Sequence, residues 1–118
     1  MNELPVINWE LGTRLAGNKR EIAEELLSIL INNLEDEVTA IHELFNQYNN
    51  DELQKRVHRL HGAVCYCGVP RLKRVLIKLE TALKTNIMGS LPLLIEELGT
   101  EARQLLELYQ AHAQPHNN

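Results

Sequence analysis

The stretch from Val57 to Glu80 reads VHRLHGAVCYCGVPRLKRVLIKLE and decides the fold expected for this chain. Its apolar residues recur in steps of three and four on both sides of a Gly-Val-Pro break at positions 68–70. That spacing places them on one face of an α-helix, whereas a glycine followed closely by a proline ends one helix and begins the next. The stretch therefore predicts two amphipathic helices joined by a tight turn.

The same period predicts two helices upstream. Asn8 is placed to cap a short helix over 9–16 that Gly17 closes, and Asn18 to begin a second helix with Glu21 in a capping box. The second helix carries one long apolar stripe, which is typical of a helical bundle. The stripe consists of Leu27, Ile31, Leu34, Val38, Ile41, Phe45 and Tyr48.

Downstream, the pattern predicts a third helix over 51–67, a fourth with Pro70 near its start, and a last helix after a loop over 86–89, with Ser90 as its cap. Four amphipathic helices with short connections predict an all-α fold, namely an antiparallel four-helix bundle with a short extra N-terminal helix. We expect this domain to occupy residues 7–111, with flexible termini at 1–6 and 112–118.

Charge is distributed unevenly along the chain. The 118 residues of the chain suffice for one domain. The net charge of −4 argues against a general nucleic-acid binder. Seven of the twelve Lys and Arg residues nevertheless lie between Leu53 and Leu79, a segment without Asp or Glu. A mildly acidic body is thus expected to carry one basic region around His58.

The cysteines and the hydropathy bear on the compartment. Cys65 and Cys67 would point about 200 degrees apart on a helix, which disfavours a disulfide and favours a reducing compartment. No window approaches the roughly eighteen apolar residues of a membrane span, and no signal peptide opens the chain. We expect the module to be cytoplasmic and not embedded in a membrane.

His58 and Gly62 form the most unusual local pair, one helical turn apart on an exposed face. Glycine inside a helix costs about 1 kcal/mol relative to alanine, so helix formation does not explain it. A missing side chain there would let a partner approach the imidazole. The alternative is an ordinary surface histidine beside a tolerated glycine.

The same stretch resembles the signature of histidine-containing phosphotransfer (HPt) domains. That family shows His, a hydrophobic residue two positions on, usually Lys or Arg at plus three and Gly at plus four, then a second Gly, Arg-Leu and a downstream Glu. Here the matching residues are His58, Leu60, His61, Gly62, Gly68, Arg71, Leu72 and Glu80, with His61 where a lysine is commoner. Over about residues 7–109, the chain is most similar to the C-terminal module of BarA-type hybrid sensor kinases.

The resemblance implies a phosphorelay intermediate. His58 would accept a phosphoryl group from a receiver-domain aspartate and pass it to a response regulator, of the UvrY/GacA kind by the BarA likeness. The chain shows no Gly-rich phosphate loop or nucleotide-binding segment, so it is expected to be a phosphocarrier without kinase activity of its own. We also expect the module to be a monomer. The receiver would supply Mg²⁺, and the parent kinase would be anchored in the bacterial inner membrane.

Other residues are candidates to support the transfer. Gly62 would provide clearance, while Lys55, Arg59 and His61 would steady the phosphate. A solvated row of cations on the fourth helix would steer an acidic partner. The row comprises Arg71, Arg74 and Lys78, with Lys73 beside it.

Two alternative functions use the same residues. His58, His61 and Cys65 share a helix face and are chemically suitable zinc ligands, although three ligands on one straight helix rarely converge on a tetrahedral ion. The basic region could instead bind nucleic acid, against which the scarcity of aromatic residues and the negative net charge both count.

Overall fold

The computed structural model describes residues 3–113, and these form α-helices without strands. The helices are α1 (Trp9–Leu15), α2 (Arg20–Asn46), α3 (Asn50–Val64), α4 (Pro70–Lys84) and α5 (Leu91–Ala113), with a 3-10 turn at Met88–Ser90 before α5. Helix α2 packs against α3 and α5, and α4 packs against the same two helices. The predicted four-helix bundle with an extra N-terminal helix is therefore confirmed.

The core follows the predicted apolar faces, with differences at the end of α2. Leu27, Leu34 and Ile41 are buried as expected. Tyr48 is 89% exposed, so its assignment to the buried stripe was wrong. The helix ends at Asn46 and Tyr48 takes a left-handed φ of 58°, which turns the chain away before the stripe can continue.

Helix α1 docks on the turn between α3 and α4. Gly68 has a φ of 63°, and a Cβ there would lie 2.6 Å from the carbonyl oxygen of Asn8. The amide of Asn8 donates to the carbonyl oxygen of Gly68 at 2.8 Å. The Trp9 ring also lies 4.4 Å from the Arg20 guanidinium and 4.7 Å from the His112 ring. These contacts hold α1 across the end of the bundle nearest the α3–α4 turn.

Helix ends were predicted with mixed success. Asn8 caps α1, since its Oδ1 accepts from the amide of Leu11 at 2.9 Å. The capping box beginning at Asn18 is wrong, because Asn18 has a φ of 66° and Lys19 occupies the N-cap position. The third helix ends at Val64, three residues earlier than expected. The residue predicted to cap the last helix belongs instead to the 3-10 turn.

The structure describes part of both predicted flexible termini. Of the termini predicted to be flexible, residues 1–2 and 114–118 lie outside the described range, Val6 packs against the core, and His112 belongs to α5.

Both cysteines are free, and burial raises the pKa of Cys67 to about 11. Within residues 3–113, no helix is long and apolar enough to cross a membrane.

Candidate functional site

His58 lies on α3 with its side chain 71% exposed. Its neighbours Val57 and Leu60 are buried in the core. The packing of these two residues fixes the α3 backbone, while the imidazole stands largely in solvent. This arrangement presents the ring to a partner without mobilising the helix that carries it.

Glu80 of α4 connects His58 to a second histidine. Its side chain is only 7% exposed, and its Oε2 accepts a hydrogen bond from Nδ1 of His58. Its Oε1 accepts from Nδ1 of His61 at 2.7 Å, and the ammonium of Lys84 lies 3.5 Å from Oε2. A carboxylate therefore bridges two imidazoles where α3 faces α4.

The charge of Glu80 follows from its surroundings. Burial by itself raises the pKa of this carboxyl, but the hydrogen bonds from His58 and His61, with the positive charge of Lys84, lower it overall. An ionised carboxylate only accepts hydrogen bonds, so Nδ1 of His58 carries the proton. In the neutral ring, Nε2 then holds the free lone pair and is the nucleophilic nitrogen.

Gly62 leaves open space beside this ring. A Cβ built on Gly62 would meet no atom within 4 Å outside its own helix backbone and its chain neighbours. Its φ is not in the left-handed region, so the backbone does not require glycine. The glycine therefore leaves the helix surface without a side chain one turn from His58, and it does not make room for another helix.

A surface cleft between α3 and α4 lies next to the histidine. It has a volume of about 460 Å³ and is lined by Asp51, Gln54, Lys55, His58, Glu80 and Lys84. The ammonium of Lys55 lies 3.5 Å from Glu52 and is exposed, so it is free to turn toward an anion. Arg59 lies on the side of α3 that faces α2, where it lines an apolar groove. The structure therefore brings Lys55 to the cleft but places Arg59 outside it.

His61 is oriented differently from an exposed phosphate ligand. Its side chain is 23% exposed, its Nδ1 is bonded to Glu80, and its Nε2 is buried with no protein hydrogen-bond partner in the described part of the chain. As it stands, neither ring nitrogen is directed to a group bound on His58.

The predicted row of cations divides into two parts. Arg74 and Lys78 are exposed and, with Lys73, border a groove floored by apolar residues of α1, α3 and α4. Arg71 was wrongly placed in a solvated row, because its guanidinium donates to Glu101 at 2.9 Å and to Gln104 at 3.0 Å on α5. The hydrogen bond to Glu101 raises the pKa of Arg71 above its usual value. Arg71 thus ties α4 to α5.

Two residues of the site were not assigned a role from the sequence. Glu80 was noted only as part of the family signature, although an acid four residues after Leu76 and three before Leu83 lies on a core row. Lys84 follows Glu80 by one turn on the same face.

Among residues 3–113 no three His, Cys, Asp or Glu side chains are grouped as metal ligands would be.

Comparison with known proteins defines the class. The Hpt domain family model matches residues 25–114, and the chain belongs to this family, whose members carry phosphoryl groups on histidine in two-component signalling.

Individual relatives show the same relationship. The chain is 40% identical over 82 residues to the sensor histidine kinase GacS of Pseudomonas protegens, covering 70% of this chain and 9% of that protein. It is 28% identical over 107 residues to the signal transduction histidine-protein kinase BarA of Escherichia coli K12, covering 91% of this chain and 11% of BarA. The chain thus spans about a tenth of the length of these relatives. The crystal structure of the HPT domain from a Shewanella hybrid histidine kinase matches with a TM-score of 0.83 and 30% identity, covering 96% of this chain and all of that one.

Proposed function

We propose that Nε2 of His58 carries the phosphoryl group in a phosphorelay between receiver domains. The observation that supports this assignment best is the hydrogen bond from Nδ1 of His58 to the buried Glu80. It leaves Nε2 unprotonated on an exposed ring, and Gly62 leaves the approach to that ring open. A nucleophile and a clear path for an incoming phosphorus are two of the things that transfer to a protein side chain requires, beside compensation of charge.

Phosphoryl transfer to His58 forms one bond and breaks one, and it needs no further reactant. Nε2 attacks the phosphorus of an aspartyl phosphate, a P–N bond forms, and the P–O bond to the aspartate breaks with its electron pair returning to the carboxylate. The ring keeps its Nδ1 proton and becomes cationic. Glu80 lies against that proton and offsets the new positive charge. The reverse steps deliver the phosphoryl group to a second receiver.

The receiver and this domain supply different groups to the transfer. The receiver brings the aspartate and the Mg²⁺, and Lys55 and Lys84 on the cleft supply positive charge from this side. The module uses no ATP and acts as a monomer. Arg74 and Lys78 attract the acidic face of the receiver during encounter.

The parent protein is a hybrid sensor kinase anchored in the bacterial inner membrane. The module exchanges its phosphoryl group with a receiver of that kinase and with a response regulator of the UvrY/GacA kind. The similarity to proteins named as the sensor kinases GacS and BarA supports this context.

A transfer assay tests the function. The domain is mixed with a panel of receiver domains carrying labelled phosphoryl groups, with ATP and Mg²⁺ alone as the control. We expect acid-labile label on the domain from at least one receiver and none from ATP. His58→Gln is expected to take up no label while keeping its helicity and melting temperature, because the glutamine amide can still donate to Glu80 in place of Nδ1. Label from ATP alone, or undiminished label on the variant, would refute the proposal.

A further inference from the structure

We propose that His61 is a positioning residue, which acts on His58 through Glu80 and does not touch the phosphoryl group. This inference rests on the proposed role of His58. His61 had been a candidate to steady the phosphate, but its ring is largely buried and its Nδ1 donates to Oε1 of Glu80 at 2.7 Å.

The two oxygens of Glu80 have different partners. Both His58 and Lys84 approach Oε2, whereas His61 is the side chain bonded to Oε1 in the described part of the chain. Without that bond, a buried oxygen would lose its donor, and the carboxylate would turn toward Lys84 to recover one. Such a rotation would move Oε2 from its position beside Nδ1 of His58. His61 therefore keeps the carboxylate where it selects the Nδ1-protonated tautomer of His58.

The other nitrogen of His61 separates this role from simple packing. Nε2 is buried and has no protein hydrogen-bond partner among residues 3–113, so the contact that the ring makes to a polar group there is the one at Nδ1. An aliphatic side chain would fill the same space without an unpaired acceptor. The benefit of the histidine lies in the donor at Nδ1, which an aliphatic residue lacks.

A matched pair of variants isolates that donor. His61→Asn places an amide nitrogen about where Nδ1 stands, and His61→Leu has a similarly branched side chain that cannot donate. We expect His61→Leu to slow phosphoryl uptake about tenfold, the effect on a rate of losing about one hydrogen bond, and His61→Asn to stay near the wild-type rate. Melting of both variants checks that the fold is intact.

A spectroscopic readout makes the test independent of the relay. The ring nitrogen shifts of His58 in ¹⁵N NMR report its tautomer, and we expect the Nδ1-protonated form to fall in His61→Leu and to persist in His61→Asn. An unchanged tautomer in folded His61→Leu would overturn the proposal, as would equal slowing by both variants. If the wild type takes up no phosphate, the proposed function fails, but the tautomer measurement still decides the positioning role.

Discussion

Replacing Gly62 with glutamine separates two reasons for a glycine inside α3. If the glycine serves only to leave the surface beside His58 without a side chain, replacing it should favour the helix. In a helix interior, glycine is about 1 kcal/mol less favourable than alanine, and glutamine is close to alanine. A Cβ on Gly62 meets nothing within 4 Å. The substitution should therefore stabilise the domain by about 0.5–1 kcal/mol. For a domain of this size, that gain corresponds to a rise of about 2–5 °C in melting temperature.

The phosphoryl transfer rate should change in the opposite direction. The glutamine side chain would stand one turn from His58, where the receiver aspartate must approach. Misplacing reacting groups by about 1 Å can cost a hundredfold, so we expect a loss of about that size from a fully folded variant. Stopped-flow or quench-flow transfer from a labelled receiver measures the rate, and thermal melting measures the stability.

Two control variants sharpen the result. Gly62→Ala adds one methyl group in the same position and should be stabilised while keeping most of the transfer rate. Gly99→Gln makes the same change on α5, where a Cβ also meets nothing within 4 Å, and should leave transfer unaffected. Destabilisation of Gly62→Gln by about 1–3 kcal/mol would indicate overpacking and contradict the open space, and normal transfer by a stable variant would refute the clearance role.

Three further changes have defined outcomes. Because the pKa of Glu80 is lowered in the fold, its stabilisation is present above about pH 4.3 and is lost as pH falls through the lowered value. Glu80→Gln should therefore unfold at lower urea than wild type at neutral pH, with the gap closing as the pH falls through the lowered pKa of Glu80; a constant gap would contradict this. Reversing Arg74 and Lys78 to Glu should slow transfer at low salt and less at high salt, because exposed charges are screened beyond about 8 Å, and equal rates at low salt would reduce the pair to a solvated surface. Arg71→Met should cost about 2 kcal/mol in chemical denaturation by removing the partner of buried Glu101, without slowing transfer; slower transfer at unchanged stability would place Arg71 in the site.

Most of the fold was predictable because its signals are local. The helical period fixed which faces are buried, and Gly68 and Pro70 marked the turn between α3 and α4. The errors occurred where a pattern was extended past a chain reversal. Tyr48 adopts left-handed backbone with no glycine to announce the end of α2, and Asn18 adopts it directly after Gly17, so that α2 begins later than the capping pattern predicted.

The site was predictable in part for the same reason. His58 and Gly62 stand in one helix, so their spacing alone placed them on a common face. The contact of His58 with Glu80 spans 22 residues and depends on how α3 and α4 are aligned, which no local pattern specifies. Arg71 has the spacing of a solvated row, and only the position of α5 shows that Glu101 binds it.

The most direct test is to locate the phosphoryl group on the phosphorylated domain. Phosphorus–nitrogen couplings in ³¹P and ¹⁵N NMR of labelled protein identify both the residue and the ring nitrogen. We predict a single phosphohistidine, on Nε2 of His58, with Nδ1 still protonated and bonded to Glu80. A phosphoryl group on Nδ1 of His58 would contradict the account, because that nitrogen donates to Glu80. A phosphoryl group on His61 would also contradict it, because that ring donates to Glu80 from Nδ1 and its Nε2 is buried.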